Sequence, residues 1–189
     1  MGSMDGYLQA LSLVAILILA PMTIHLIVHK EENTVFVFVE TEIEDDDDEI
    51  EGRDIPQLNR SEVARIATFN IKVFGKTKMG KPEVVSQLVD TVLQYDLVAV
   101  QEIKDIDQTV PYDFLDELNN ASGDSWNMSL SPRSGMQEDD QSSQEQYVYY
   151  YNTTVFREIG DGFLYNDTAN DYFQREPYIA SFELLNESG

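Results

Sequence analysis

Two segments carry a hydrogen-bonding side chain where the interior of a sheet would not take one. Ala-Thr-Phe-Asn-Ile-Lys (67–72) is strand-like until Asn70, and Leu-Val-Ala-Val-Gln-Glu-Ile-Lys (97–104) is apolar until Gln101 and Glu102. α/β proteins commonly seat ligands at the carboxyl ends of their strands. A carboxylate and an amide oxygen brought together there are hard donors, suited to Mg²⁺ or Mn²⁺. Magnesium needs few protein ligands, because it keeps several waters and takes substrate phosphate oxygens. Spacing alone makes this a weak signal, since a glutamate at a strand end is more often simply solvated.

The elements that must position these groups can be read from the same stretch. Arg65–Ile71 is a strand, and the following Lys-Val-Phe-Gly-Lys-Thr-Lys-Met-Gly-Lys is a loop broken by Gly75 and Gly80. A helix starts at Pro82, a residue favoured at the first helical position, with Val84, Val85, Leu88, Val89, Val92 and Leu93 on one face. Leu97–Gln101 has the continuous apolar character of a strand buried on both faces. A second helix runs from Pro111 to Asn119 with Phe114, Leu115 and Leu118 inward, followed by a polar loop over 131–144. Residues 146–151 form a strand. So do residues 177–185, where Tyr178, Ala180, Phe182 and Leu184 alternate with Ile179, Ser181 and Glu183. Strand, helix, strand and then further strands indicate a layered α+β domain.

Composition bounds the rest. The 189 residues carry a formal charge of −23, and 13 of the 35 acids but only 2 of the 12 bases fall in the first 54 residues. Such a surface repels nucleic acid at long range, so DNA binding requires local bases or divalent cations. There is no cysteine. Residues 7–28 contain no charged residue and are long enough to span a bilayer or to be a signal peptide. Asn59, Asn120, Asn127, Asn152, Asn166 and Asn186 each begin an N-x-[ST] sequon. Composition alone would give about one, and the excess points to a chain exposed to the secretory lumen or secreted. Residues 1–30 are therefore read as a signal peptide or signal-anchor. Residues 31–54, with their Glu-Asp-Asp-Asp-Asp-Glu block, are read as an acidic disordered linker, and the folded part is placed at 55–189.

The motifs IATFNIKVFGKTKMG, YDLVAVQEIKD, SSQEQYVYYY and NDYFQREPYIASF occur in an order and at spacings that resemble the deoxyribonuclease I family of the endonuclease/exonuclease/phosphatase group. The resemblance covers about residues 63–185 and implies part of a four-layer α/β/β/α sandwich that hydrolyses DNA phosphodiester bonds with divalent cations. It implies that Glu102 is the main Mg²⁺ or Mn²⁺ ligand, with Asn70 completing or positioning that shell. It places Lys104 where the family enters the minor groove, and Lys72 and Arg175 where it contacts phosphates. Glu145 would orient a catalytic histidine. Asp171, Glu176 and the carbonyl of Phe173 match a structural Ca²⁺ loop. Ser143 stands where an aromatic residue is expected, which weakens stacking on a sugar or base.

One feature opposes activity. The only histidines are His25 and His29, in or beside the apolar segment. An imidazole suits proton transfer near neutral pH, and the family's histidines, its G-D-F-N run and its late S-D-H motif belong to a second half not present in these residues. The expectation is an N-terminal half-domain, inactive alone, with Glu145 open to water and the inner face of its sheet exposed. The alternatives are a non-catalytic binding half-domain, or a related phosphodiesterase acting on RNA or a phospholipid head group.

Overall fold

The computed structural model describes residues 63–135, 142–166, 168 and 172–185, together with the backbone of three strands between residues 12 and 41. In chain order the elements are β1 (Ser12–Leu17), β2 (Met22–His29), β3 (Thr34–Thr41), β4 (Val63–Phe74), α1 (Lys76–Met79), α2 (Pro82–Val92), β5 (Leu97–Ile103), α3 (Val110–Ser122), β6 (Trp126–Leu130), β7 (Gln146–Asn152), β8 (Phe156–Glu158), β9 (Phe163–Leu164) and β10 (Tyr178–Leu184).

The strands form two sheets. One has six strands in the order β3-β2-β4-β5-β7-β6, and the other places β10 between β1 on one side and β8 and β9 on the other. β4 and β5 pair in parallel, with Ile66 opposite Leu97 and Asn70 opposite Gln101. The crossover between them is α2. Its valines and leucines at helical spacing bury Val85, Leu88, Val89 and Val92, and Pro82 opens it because a missing N–H costs nothing at that position. α2 and α3 cover one face of the six-stranded sheet through Val98, Val100, Val148, Phe114, Leu118 and Trp126. Phe74 and Phe114 meet edge-on at 5.3 Å, and Phe114 and Tyr150 at 5.4 Å.

The opposite face is not left open. Ala64, Ile66, Leu97, Ala99, Tyr147, Tyr149 and Tyr151 pack on Phe156, Tyr178, Ala180, Phe182 and Leu184 of the second sheet. The expectation of an exposed inner face is thus corrected. The strict alternation of β10 supplies a complementary apolar face from within this same stretch of chain, and Phe182 packs its ring at 5.5 Å from Tyr149 and 5.1 Å from Tyr151. The described architecture is α+β, with a helical layer and two stacked sheets.

Two further differences have local causes. The segment read as a loop after Phe74 contains the short helix α1, closed by N–H groups of Lys78 and Met79 on the Gly75 carbonyl. The backbone described within the apolar segment is extended. β2 pairs antiparallel with β3 and β4, and β1 with β10. β3 falls inside the stretch read as linker, where Thr-Val-Phe-Val-Phe-Val has the β-branched and aromatic character of a strand. The acidic block and the rest of 42–62 lie outside the described residues. Among the described residues no helix is long and apolar enough to cross a membrane.

Candidate active site

The parallel pair β4–β5 breaks register between Asn70 and Phe74, and the break falls at the polar groups. Lys72, Val73 and Glu102 have φ of 48°, 59° and 59°. A left-handed conformation is costly for any side chain and more so for a β-branched one. The local hydrogen bonds hold it in place. Asn70 Nδ2 donates to Glu102 Oε1 at 2.8 Å, Val73 N–H donates to Glu102 Oε2 at 3.0 Å, and Lys72 N–H donates to Asn70 Oδ1 at 2.8 Å. The bulge thus turns Glu102 and Asn70 toward each other, and both oxygens of the carboxylate are anchored with a lone pair left on each.

Gly75 fixes the same corner from below. Lys104 N–H donates to the Phe74 carbonyl at 2.9 Å, and a β-carbon at Gly75 would lie 2.6 Å from the Lys104 carbonyl oxygen. Only glycine lets the two strand ends approach that closely. The Lys78 ammonium caps the carbonyls of Ile71 and Lys72.

Beside this pair, Glu145 Oε1 accepts two cations, Arg175 Nη2 at 3.0 Å and Lys104 Nζ at 3.3 Å. Glu145 is 3% exposed. The expectation of a glutamate open to water is corrected: the loop after β6 folds over it, with Ser134 and Glu145 exchanging backbone hydrogen bonds of 2.9 Å. Lys72 is exposed on the strand-end side, whereas Lys104 and Arg175 are half-buried and joined through Glu145.

Asp105 is a group that the sequence reading missed. It is buried, and its Oδ2 accepts the N–H groups of Thr109 at 2.7 Å and Val110 at 3.0 Å, capping α3. Burial works to raise its carboxyl, but those N–H groups and the charge of Lys76 prevail and hold it below its ordinary value. The signal was an aspartate five residues ahead of the first residue of a helix with proline near its start.

Of the implied Ca²⁺ loop, Asp171 lies outside the described residues. Phe173 packs its ring on Tyr165 at 5.8 Å, and Glu176 is half-buried. Asn59 and Asn186 also lie outside them. Asn120 is exposed on α3 and Asn127 on β6. In two further sequons the asparagine oxygen accepts the N–H and hydroxyl of the threonine two residues on: Asn152 with Thr154, and Asn166 with Thr168. Among the described residues no three His, Cys, Asp or Glu side chains gather as a metal cage. Glu102 supplies one anionic ligand with a lone pair free on each oxygen. That fits a Mg²⁺ completed by water and a substrate phosphate, and does not fit a closed protein cage.

Two stacked sheets with helices on an outer face, and a carboxylate–amide pair at the ends of parallel strands, are consistent with the family that the motifs resemble. Comparison with known proteins agrees. The chain is 34% identical to human deoxyribonuclease-1 over 122 residues, covering 62% of this chain and 42% of the relative. It is 34% identical to deoxyribonuclease-1 of Rattus norvegicus over 129 residues, covering 66% and 44%, and 33% identical to that of Gallus gallus over 122 residues, covering 62% and 42%. The chain therefore spans less than half the length of these curated relatives. No protein-family model matches it. The resemblance to the deoxyribonuclease I family and the α+β fold are both borne out.

Proposed function

We propose that this chain forms part of a divalent-cation-dependent endonuclease that hydrolyses DNA phosphodiester bonds. The observation that carries the reading is the strained, doubly anchored Glu102 at the strand ends, two residues before Lys104, which shares Glu145 with Arg175. The similarity to deoxyribonuclease-1 supports it. Glu102 would hold Mg²⁺ or Mn²⁺, and Asn70 would orient its carboxylate. The bound cation would supply charge neutralisation at the phosphate. Lys72, Lys104 and Arg175 would bind the DNA backbone, with Lys104 nearest the groove. Phe173, Glu176 and Asp171 would hold a structural Ca²⁺. We place the protein in the secretory pathway or outside the cell. Residues 1–30 would act as signal peptide or anchor, 31–54 as an acidic spacer, and the sequons as glycosylation sites.

A second reading, a DNA-binding unit without catalysis, is favoured by one fact. Among the residues whose side chains are described there is no histidine, His25 and His29 both lying on β2, and Glu145 is committed to two cations. Proton transfer to and from the reacting oxygens then lacks its usual carrier. The test is a plasmid-nicking assay with Mg²⁺ and Ca²⁺, run beside Glu102→Ala. These 189 residues alone are expected to leave supercoiled plasmid intact. Robust nicking that Glu102→Ala abolishes would show that they are catalytically sufficient. Nicking that survives the substitution would remove Glu102 from the reaction.

A further inference from the structure

Between the pairs Asn70–Gln101 and Phe74–Ile103, three residues of β4 stand opposite one of β5. The extra length is taken up by Lys72 and Val73, both with left-handed φ. Neither is a glycine, and the conformation is costly unless the surroundings impose it. α1 turns one side chain back onto this bulge. The Lys78 ammonium donates to the carbonyls of Ile71 and Lys72. Lys78 is half-buried and, among the described residues, forms no ion pair, whereas Lys76 of the same helix pairs with Asp107 and Lys72 is exposed.

The two carbonyls belong to particular peptide groups. The Ile71 carbonyl shares one plane with the Lys72 N–H, which donates to Asn70 Oδ1 at 2.8 Å. The Lys72 carbonyl shares the next plane with the Val73 N–H, which donates to Glu102 Oε2 at 3.0 Å. A peptide group is rigid, and in the trans form its C=O and N–H point in opposite directions. Each plane is therefore gripped at both ends, by one ammonium at the oxygens and by the Asn70–Glu102 pair at the hydrogens. Turning either plane over would need no change in chain length. It would aim a carbonyl dipole at the oxygen of Asn70 or the carboxylate of Glu102 and take the donor away. The ammonium opposes that rotation with two charge-assisted hydrogen bonds, which are stronger than neutral ones.

We propose that Lys78 is a positioning residue for Glu102: its ammonium locks the 71–72 and 72–73 peptide planes so that their N–H groups face Asn70 and Glu102. The lock itself needs neither metal nor DNA. Its consequence for a cation on Glu102 rests on the nuclease reading above.

The test compares Lys78→Met, which keeps an unbranched stem and removes the ammonium, with Lys78→Arg, which restores a charged donor. In metal-free hydrogen exchange, the amides of Lys72 and Val73 should exchange about tenfold faster or more in Lys78→Met and recover in Lys78→Arg, because the hydrogen bonds that oppose local opening are lost. The core amides of Val100 and Val148 should change far less. Equal acceleration everywhere, or none at Val73, would overturn the proposal. A second measurement needs only the unsubstituted chain. Amine-directed dimethylation, read by mass spectrometry, should modify Lys78 about tenfold more slowly than the exposed Lys72 and Lys81, because its two hydrogen bonds must break first. Equal rates would mean a free ammonium, and the proposal would fail. Mn²⁺ titration separates the two claims. Where the unsubstituted chain binds Mn²⁺ at Glu102, Lys78→Met should raise the Kd about tenfold and Lys78→Arg restore it, as for other groups that orient a metal ligand. An unchanged Kd would overturn the role of Lys78. No Mn²⁺ binding by the unsubstituted chain would overturn the nuclease reading instead, and the exchange rates alone would then decide the lock.

Discussion

Asn70→Asp is the perturbation that interrogates the strand-end pair most sharply. It is nearly isosteric, but it replaces the donor that lies 2.8 Å from Glu102 Oε1 with a second carboxylate oxygen. Losing a hydrogen bond to a charged group costs about 1.5–3 kcal/mol. Two like charges at that separation would add about 6 kcal/mol at an effective dielectric of 20. Neither Asn70 nor Glu102 is fully buried, so water screens part of this. A proton shared between the two carboxylates limits the remainder. A net loss of about 2–4 kcal/mol at pH 7 is expected, and each kcal/mol shifts the melting temperature by about 2–4 °C in a chain of this size. The sign with pH follows from linkage. Taking up one proton relieves the repulsion between the two carboxylates, which are close only in the folded state. The deficit therefore shrinks as pH falls toward 5 and grows as pH rises. Mn²⁺ should also reduce it, by neutralising both carboxylates. The assay is thermal unfolding in EDTA and in Mn²⁺ across pH 5–8. A variant as stable as the parent in EDTA at pH 7 would refute the contact itself.

Three other outcomes follow from the same geometry. Gly75→Ala forces a β-carbon to 2.6 Å from a backbone oxygen that cannot swing aside, and should cost about 1–3 kcal/mol in denaturant unfolding. Asp105→Ala removes the cap of α3 at a cost of about 1–2 kcal/mol. Because the folded-state pKa of Asp105 lies below its unfolded value, its contribution is present above about pH 4 and is lost as pH falls through the depressed value. The substitution should therefore flatten part of the acid limb of the stability profile. Expression in a eukaryotic secretory system should add glycans that a glycosidase removes, seen as a shift in gel mobility; no shift would count against lumenal exposure.

The legible part of the molecule was the part governed by periodicity. The valines and leucines of α2, the unbroken apolar run of β5 and the alternation of β10 each fixed an element within a few residues, because burial of one face dictates the pattern. Asn70 and Glu102 were legible as faults in such patterns. The bulge that joins them was not, because left-handed φ at Lys72, Val73 and Glu102 leaves no glycine to mark it. α1 was hidden between two glycines in a stretch too short for a period. The burial of Glu145 was misjudged because it depends on a loop, 131–135, whose backbone pairing no local propensity encodes. The pairing of β10 with its partners, and the closure it gives the sandwich, depend on long-range register that a linear reading does not contain.

The central claim is that the Glu102–Asn70 pair at the strand ends holds a divalent cation and that the neighbouring bases hold a DNA phosphate. Paramagnetic broadening by Mn²⁺ tests it most directly, followed residue by residue in the full chain with and without a short DNA duplex. The predicted result is selective broadening of the backbone signals of Asn70, Val73, Glu102 and Lys104. It should strengthen when the duplex is present and vanish in Glu102→Ala. Broadening confined to the acidic block at 44–49, unchanged by DNA and by Glu102→Ala, would contradict it.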